Sequence, residues 1–367
     1  MTKKSKVFVG VSGGVDSSVA LALLQKEGYD VTGVFLKVWN PDWMECNWKE
    51  ERRDSMRVCV TLGVPFLTFD FEAEYKKEVV DYMIREYSLG RVPNPDVFCN
   101  KYVKFGVFLK KALEMGADFV ATGHYATRII RIGSNDTNEY ELHESVDKEK
   151  DQSYFLYTLN QEQLSHTLFP VGGLLKSDVR KLAKKFGLPT AEKKDSQGLC
   201  FIGKVDMKDF LSHYISAKKG NVLNTKGEVI GEHDGAMFYT IGQRHGFTIT
   251  KKTPDDPRFF VISKDLAKNT IIVASKETEK ERVYSTKEIV LQDLHLICEL
   301  GKSDSPNSQI SVRIRYRQEK QDCVIEKKSD GYHIIFQTAQ NGIAIGQSAV
   351  LYHGEICLGG GVIERTE

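Results

Sequence analysis

A glycine-rich turn between a buried strand and a helix is the feature that most limits how this chain can fold. Residues 6–11 (KVFVGV) form a short apolar, β-branched run, which is typical of a buried parallel strand. The turn SGGVDS (12–17) follows it, and a helical composition continues to residue 27. Further strands are predicted at 31–38, 64–69 and 119–122, and further helices at 50–62 and 105–115. This alternation predicts an α/β domain with an open, mostly parallel sheet and helices on both faces.

The pattern changes near residue 205 and again near residue 280. Residues 206–217 keep a helical pattern, and turn signals multiply after them. The runs SQISVRIRYRQ, QDCVIEKK, GYHIIFQT and QSAVLYH then alternate as short strands do, which favours a small β-barrel or sandwich. We therefore expect a catalytic domain at 1–205, a small central domain at 206–280 and a C-terminal β-barrel at 281–367. Alternation also predicts that Arg313, Arg315 and Arg317 share one strand face, either solvated or RNA-binding.

Composition indicates the environment of the protein better than its partners. The chain has 51 Lys and Arg against 50 Asp and Glu, so its formal charge of +1 neither supports nor excludes a nucleic-acid partner. An odd number of cysteines, seven, with no secretory signal, predicts a cytoplasmic protein with reduced thiols. No run of about 18 apolar residues occurs, so we expect no membrane span.

The SGGVDS turn has the composition of a phosphate-binding loop. Its glycines allow the backbone to close on a ligand, and the amides at a helix start attract negative charge. It lacks the lysine of a Walker A loop and the spacing of a dinucleotide-binding GxGxxG. The alternative is an ordinary strand-to-helix turn with capping serines. Asp16 either complements the helix dipole or binds Mg²⁺ beside pyrophosphate, and we favour the second role.

Two cysteines lie in segments of unusual composition. Cys99 lies in GRVPNPDVFCN (90–100), in which two prolines and an asparagine predict a non-helical stretch before the next helix. A nearby helix start with Lys101 or Lys104 would favour the thiolate, and Asp96 could act as an acid or base. Cys200 lies in the polar segment DSQGLCFIG, which predicts a loop. The alternative is a buried apolar role, which we accept for the remaining cysteines: Cys46, Cys59, Cys298, Cys323 and Cys357.

Ordered motifs along nearly the whole chain resemble those of the tRNA-specific 2-thiouridylases of the bacterial MnmA type, and SGGxDS resembles the loop of N-type ATP pyrophosphatases. The motifs are GVSGGVDSSVA (10–20), GRVPNPDVFCN (90–100), ATGHYA (121–126), KDQSYFLYTL (150–159), DSQGLCFIG (195–203), YTIGQRHG (239–246), RIRYRQ (313–318) and GQSAVLYHGEICLGGG (346–361). The resemblance implies that ATP adenylates C2–O of the wobble uridine (position 34) and that a persulfide supplies sulfur. It implies Cys200 as the persulfide carrier and Cys99 as the nucleophile that leaves a Cys99–Cys200 disulfide. Direct transfer from the persulfide to C2 is the alternative.

The same resemblance assigns binding residues. It implies that ATP contacts Gly10, Val11, Ser12, Gly13, Gly14, Val15, Asp16, Ser17, Leu36 and Gly123. It implies that the target base meets Asn94, Pro95 and Asp96. It implies that the rest of the tRNA contacts His124, Lys150, Asp151, Gln152, Arg315, Tyr316 and Gln347. The implied cofactors are ATP and Mg²⁺, with Asp16 as the candidate Mg²⁺ ligand and no other metal; an iron–sulfur cluster is the less favoured alternative, since only two cysteines stand in family motifs.

The implied partners are tRNAs for Lys, Glu and Gln and a sulfur donor, such as a cysteine desulfurase or a sulfur-relay protein. Two other functions are compatible with parts of the sequence. An ATP-dependent amidoligase would share the SGGxDS loop and would need no cysteine pair. A non-catalytic RNA-binding protein with a relic ATP site would bind tRNA without ATP turnover. The intact loop and both motif cysteines favour the thiolation enzyme over these two.

Overall fold

The computed structural model describes residues 4–44, 48–133, 136–194, 207–250, 258–275, 285–298 and 310–367. In this part of the chain, five parallel strands form the first sheet: β1 (Lys6–Gly10), β2 (Asp30–Lys37), β3 (Phe66–Asp70), β4 (Phe119–Ala121) and β7 (Thr167–Leu168). The strand order β3-β2-β1-β4-β7 reverses direction at β1. Open α/β sheets bind ligands at such a reversal, beyond the carboxyl ends of the strands. The crevice between the ends of β1 and β4 is therefore the expected ligand site.

Helices cover both faces of this sheet. The α-helices in the described residues are α1 (Val15–Lys26), α2 (Trp48–Leu62), α3 (Glu72–Tyr75), α4 (Tyr82–Ser88), α5 (Pro95–Phe98), α6 (Phe108–Glu114), α7 (Gln161–Ser165), α8 (Lys176–Lys185) and α9 (Met207–Ser212). Two π-helical segments, Lys76–Asp81 and Cys99–Val107, join neighbouring helices, and short 3₁₀ turns span Ser153–Phe155 and Ala236–Phe238. Two apolar clusters, one on each side of the sheet, form the core of this half. The predicted α/β class with helices on both faces is confirmed.

Two predictions about helices are corrected. The NPD stretch is not excluded from helix, because α5 begins at Pro95 with Asn94 as its N-cap; the Asn94 side chain accepts a hydrogen bond from the Val97 amide at 3.4 Å. Proline fits the first helical position, where its missing N–H has no intrahelical partner to lose. The helix predicted over 206–217 is shorter than expected, since α9 ends at Ser212. In the part of the chain that the structure covers, no helix is long and apolar enough to cross a membrane.

The central part contains a second five-stranded sheet within the described residues. Its strands are β8 (Gly220–Leu223), β9 (Val229–His233), β10 (Phe247–Ile249), β11 (Phe260–Asp265) and β12 (Thr270–Ala274). The β8–β12 pairing is parallel and the other pairings are antiparallel. A small apolar cluster around Tyr239 packs on this sheet. The YTIGQRHG motif begins in this core, at Tyr239.

The C-terminal part forms a closed barrel, as predicted. Going round the barrel, its strands in the described residues are β13 (Ser285–Leu291), β17 (Gly331–Asn341), β16 (Gln321–Lys328), β15 (Ile310–Arg313), β18 (Ser348–His353) and β19 (Ile356–Thr366), and β19 pairs with β13 to close it. β14 (His295–Leu296) pairs with β19 outside this ring. The alternation of Arg313, Arg315 and Arg317 on one strand face is wrong, because β15 ends at Arg313. Residues 314–317 form a turn, and Arg317 has a positive φ of 63°.

A hairpin from the first half extends the barrel sheet. It consists of β5 (Ala126–Ile132) and β6 (Asn138–Glu144), and β6 pairs with β19 through Ile356 opposite His143. The sequence analysis did not predict this hairpin. It makes one continuous hydrogen-bonded sheet out of elements from both ends of the chain, so the barrel is fixed relative to the α/β part.

Candidate active site

The turn after β1 is shaped by backbone geometry. Gly13 has a φ of 72°, and a Cβ there would lie 2.7 Å from the Glu51 carbonyl oxygen on α2. The amide of Ser12 donates to Ser17 Oγ at 3.2 Å. Gly14 is the N-cap of α1 and offers no side chain to satisfy the first amides of the helix. These amides and the positive end of the helix dipole form a site for an anion such as phosphate.

The segment after β4 lies directly against this turn. A Cβ on Gly123 would come within 2.5 Å of the Ser17 amide nitrogen, so only glycine permits this approach. Leu36, near the end of β2, is half-buried and packs on the apolar core. Both residues lie at the carboxyl edge of the sheet. Their predicted contacts with adenine and ribose stay a prediction.

Asp16 is held by a cation from a distant part of the chain. Lys176 Nζ lies 2.7 Å from Asp16 Oδ1 and 2.8 Å from Oδ2, and the Tyr125 hydroxyl donates to Oδ1 at 2.8 Å. Both carboxylate oxygens therefore accept hydrogen bonds from protein groups. A Mg²⁺ ion bound by Asp16 would have to displace an ammonium, so the surroundings of Asp16 do not fit the predicted metal ligand.

Cys99 begins a π-helical segment, Cys99–Val107, immediately after α5. It is buried, with 4% of its surface exposed, among apolar side chains. A Cβ on Gly106 would lie 2.9 Å from the Lys101 carbonyl oxygen, so glycine is required within the segment. Hydrogen bonds in a π-helix join residues five apart, which places Lys104 one turn after Cys99. Segments of this kind are frequent at functional sites.

Lys104 joins the Cys99 segment to His124. Lys104 Nζ lies 3.4 Å from His124 Nε2, and His124 Nδ1 lies 2.7 Å from Thr122 Oγ1. Burial and the Lys104 charge hold the pKa of His124 well below its usual range, so the ring is neutral. Because an ammonium can only donate, Nε2 is the acceptor and Nδ1 carries the proton. Burial raises the pKa of Asp96, and Lys104 partly opposes that rise.

The residues predicted to contact tRNA near position 151 differ in accessibility. Asp151 is 3% exposed and accepts hydrogen bonds from Ser145, Ser153 and Arg313, so RNA would have to displace protein donors to reach it. Gln152 is half-buried, and its side chain accepts from the Tyr125 amide at 3.0 Å. Lys150 is half-buried and lies next to them in sequence. The tRNA contact of Asp151 stays a prediction, and its burial counts against it.

Arg313, which was expected on a strand face, is instead a buried bridge. Arg313 Nη1 lies 2.9 Å from Asp151 Oδ2, and Arg313 Nη2 lies 2.9 Å from Glu144 Oε1. The contact with Glu144 is an ion pair without hydrogen-bonding geometry. The Arg313 side chain is 12% exposed and both carboxylates are 2% exposed. This bridge ties β15 of the barrel to β6 and to the segment that contains Asp151. No local sequence signal distinguished Arg313 from the exposed Arg315.

A cavity of about 500 Å³ opens where the three parts of the molecule meet. Its lining combines aromatic, amide and basic side chains: Tyr87, Phe238, Gln243, His245, Arg315 and Gln347. Gln347 Nε2 also donates to the Val92 and Pro93 carbonyl oxygens at 2.8 and 3.3 Å. The cavity therefore borders the segment that leads to Asp96 and Cys99. Tyr316 is half-buried, with its ring 4.5 Å from that of Phe155.

One group of potential metal ligands occurs within the described residues. It consists of Glu288, His333 and Glu367, in the barrel. Lys328 Nζ already contacts Glu288 Oε1 at 3.1 Å and His333 Nδ1 at 3.2 Å, while Asp330 Oδ1 lies 3.0 Å from His333 Nε2. The hydrogen bond with Asp330 raises the pKa of His333 most, and the hydrogen bond with Glu288 also raises it. The cluster contains its own cation, so we assign no metal to it.

Cys200 lies outside the described residues, as does Cys46, so the predicted Cys99–Cys200 pairing stays a prediction. Among the described cysteines, Cys59, Cys323 and Cys357 are buried and Cys298 is half-buried. Sequence reasoning missed Lys176 and Tyr125 as partners of Asp16. Lys176 lies 160 residues from Asp16, and no spacing rule connects residues so far apart.

A parallel sheet with a glycine-rich phosphate site at its reversal point, followed by a barrel, defines a HUP-domain protein of the phosphate-loop type. Family models match all three parts: tRNA methyl transferase HUP domain at 5–204, tRNA methyl transferase PRC-barrel domain at 208–275 and aminomethyltransferase beta-barrel domain at 286–363. The chain is 44% identical to the tRNA-specific 2-thiouridylase MnmA of Stutzerimonas stutzeri, over 100% of this chain and 96% of that protein. The chain therefore belongs to the tRNA-specific 2-thiouridylase family.

A second relative agrees with this assignment. The tRNA-specific 2-thiouridylase MnmA of Francisella philomiragia is 44% identical over 98% of this chain and 99% of its own length. Among solved structures, an NMN synthetase from Francisella tularensis is 17% identical with a TM-score of 0.35, covering 57% of this chain and 72% of that one. A similarity at that level supports no inference about the site.

Proposed function

We propose that this protein is an ATP-dependent sulfurtransferase that thiolates C2 of the wobble uridine of tRNA. One observation carries the proposal beyond family membership. Gly123 packs on the phosphate loop at Ser17, and the next residue, His124, contacts Lys104 in the Cys99 segment. The ATP site and the cysteine site therefore share one short segment after β4. Activation of a base and attack by sulfur can take place within the same crevice.

In this proposal, the uridine C2 oxygen attacks the α-phosphate of ATP and pyrophosphate leaves. A persulfide on Cys200 supplies the sulfur. The Cys99 thiolate attacks the Cys200 sulfur, which forms a disulfide and releases the terminal sulfur as hydrosulfide. Hydrosulfide adds to C2 and AMP leaves, and a thiol reductant then restores both cysteines. Direct attack of the persulfide on C2 is the alternative route.

The surroundings of the site suit these steps. Asp96 is half-buried with a raised pKa, which brings a carboxylate closer to the range useful for proton transfer. His124 is neutral and fixed by Thr122, so it can orient groups without adding charge. Lys104 supplies positive charge near Asp96 and lies in the same π-helical segment as Cys99.

For tRNA, we propose that the cavity between the three parts holds nucleotides next to the target base. Arg315 and Gln347 line it together with aromatic rings, and aromatic and guanidinium faces stack on unpaired bases. Lys150, Gln152 and Tyr316 are proposed as further contacts, and the ion pair between Asp151 and Arg313 ties the 150–152 segment to the barrel. The tRNAs proposed are those for Lys, Glu and Gln, and a cysteine desulfurase or sulfur-relay protein in the cytoplasm would load Cys200. The domain boundaries proposed are 1–205, 206–280 and 281–367.

The family models are described as methyl transferase domains, whereas the named relatives are thiouridylases. Nucleoside mass spectrometry of tRNA incubated with the protein, ATP, Mg²⁺ and a sulfur source separates these outcomes. Replacement of oxygen by sulfur at the wobble uridine supports the proposal, and a methylated nucleoside would overturn it. An amidoligase would give neither product, and an RNA-binding protein would bind tRNA without releasing pyrophosphate.

Cysteine variants test the mechanism. Cys99→Ser and Cys200→Ser should each abolish 2-thiouridine while ATP binding persists, because neither residue is part of the phosphate loop. Cys298→Ser is the matched control, since Cys298 is half-buried near Tyr140, away from the phosphate loop. Full thiolation by Cys200→Ser would show that sulfur does not travel on that residue.

A further inference from the structure

We infer that Lys176 is the cation of the phosphate loop: it balances Asp16 when the site is empty and binds the phosphates of ATP when the site is filled. The inference deepens the proposed function and rests on it for the identity of the nucleotide. It assigns to α8 a role that phosphate loops of the Walker type give to a lysine within the loop. The SGGVDS loop has no lysine of its own.

The first support is the geometry of the pair. Lys176 Nζ contacts both oxygens of Asp16, at 2.7 and 2.8 Å, and lies 5.8 Å from the centre of the Tyr125 ring. The Lys176 side chain is 14% exposed and that of Asp16 is 30% exposed. The pair is therefore largely but not wholly buried. It is less screened by salt than an ion pair on the surface.

The second support is the charge that the ligand brings. Asp16 lies in the first turn of α1, at the same helix start whose amides would hold the polyphosphate. Two anions close together repel each other, and a cation between them offsets that repulsion. Lys176 is already in contact with one of them. A lysine ammonium on a flexible four-carbon stem can move toward phosphate and still screen the carboxylate.

The third support is the way Lys176 is mounted. It is the first residue of α8, and its backbone amide donates to Asp147 Oδ2 at 2.9 Å. α8 packs along α1, so the backbone of Lys176 is fixed beside the loop, and its four-carbon side chain extends from there to Asp16. A long side chain anchored in this way suits a group that contacts both the carboxylate and a bound phosphate.

This arrangement also changes where Mg²⁺ belongs. Both Asp16 oxygens accept hydrogen bonds from Lys176, and the Tyr125 hydroxyl adds another to Oδ1. If Lys176 keeps a hydrogen bond to Asp16 while it contacts phosphate, Mg²⁺ that accompanies ATP would be held by phosphate oxygens and by groups other than Asp16. The prediction that Asp16 is the Mg²⁺ ligand is replaced by a prediction that it positions Lys176.

ATP affinity, measured by calorimetry on the full chain without tRNA, tests the inference both in EDTA and with Mg²⁺. Lys176→Met should weaken ATP binding by about 10- to 100-fold, as expected for the loss of a charge-assisted contact. Lys176→Arg should recover part of that loss. Lys181→Met is the control, because Lys181 lies on the same helix but is 76% exposed and pairs with Asp178. Equal affinities for Lys176→Met and Lys181→Met would overturn the inference.

A double variant separates phosphate binding from simple neutralisation of Asp16. If Lys176 only screens the carboxylate, Asp16→Asn combined with Lys176→Met should bind ATP as tightly as the unaltered chain, and the inference fails. If Lys176 contacts phosphate, the double variant should stay about 10-fold weaker or more. Removing both charges together also leaves no unpaired carboxylate to destabilise the fold, so the result does not depend on whether Lys176→Met folds.

The Mg²⁺ assignment has its own measurement. Asp16→Asn should leave the Mg²⁺ concentration for half-maximal pyrophosphate release unchanged, and a rise of about tenfold or more would return Asp16 to the metal. The proposed function fails separately, if the unaltered chain binds no ATP at all or binds it without forming 2-thiouridine. Those results concern the reaction, whereas the variants concern Lys176.

Discussion

Arg313→Met tests the bridge between the barrel and the α/β part. The side chain would keep its apolar length and lose its contacts with Glu144 and Asp151, whose carboxylates are each 2% exposed. Breaking a buried ion pair by removing one partner costs about 3–5 kcal/mol. Lys320 would still contact Glu144 at 3.0 Å, and Asp151 would keep its hydrogen bonds from serines. We therefore expect the lower end of that range, about 3 kcal/mol.

Differential scanning calorimetry is the assay. For a cooperative unit of 150–250 residues, a loss of ~3 kcal/mol lowers the unfolding midpoint by roughly 6–12 °C. The control is Arg53→Met. Arg53 pairs with Glu50, and their side chains are 54% and 62% exposed, so we expect a loss of folding free energy near zero. Similar midpoints for the two variants would refute the argument that burial gives the Arg313 bridge its strength.

The same variant has a pH signature. Burial raises the pKa of Asp151 in the folded chain above its unfolded value. For such a carboxyl group, folding is most favourable below the unfolded pKa and loses stability as pH rises toward the folded pKa. Removing the Arg313 guanidinium, which lies 2.9 Å from Asp151 Oδ2, takes away a positive charge that favours the ionised carboxylate. The penalty of Arg313→Met should therefore shrink at mildly acidic pH and be largest near neutral pH, and a penalty independent of pH would contradict this account.

Three more outcomes follow from the site and the barrel. Gly123→Ala should weaken ATP binding by tenfold or more in calorimetry, because its Cβ would collide with the phosphate loop, whereas Gly173→Ala, in open space, should not. Lys104→Met should move the acid limb of the thiolation pH–rate profile to higher pH, since the Lys104 charge lowers the pKa of Asp96. Barrel stability should fall as pH rises through the raised pKa of His333, and His333→Gln should flatten the dependence of the unfolding midpoint on pH.

Local patterns were sufficient for the elements that build the phosphate site. A β-branched run, a glycine turn and a helical stretch predicted β1, the loop and α1, because each of these depends on neighbours along the chain. The alternating runs near the C-terminus predicted strands of the barrel for the same reason. The start of α5 was not predicted, because prolines inside a segment usually exclude helix. Here Asn94 caps the helix and Pro95 occupies its first turn, where proline fits.

The remaining features depend on contacts that no short window contains. Arg313 and Arg315 have the same identity and neighbouring positions, but only Arg313 meets two carboxylates from another element. Lys176 became a site residue through the packing of α8 on α1. The β5–β6 hairpin extends the barrel sheet because β6 pairs with β19. Such roles are set by tertiary packing, which overrides local pattern.

The β6–β19 pairing has a practical consequence for anyone who would shorten this protein. A fragment that stops before residue 285 would leave β6 with an uncovered edge, and backbone groups on such an edge recruit other chains. The α/β part on its own would therefore be prone to self-association. Activity lost on truncation would reflect self-association as much as lost RNA contacts. Point variants are therefore the better way to determine what the α/β part and the barrel each contribute to activity.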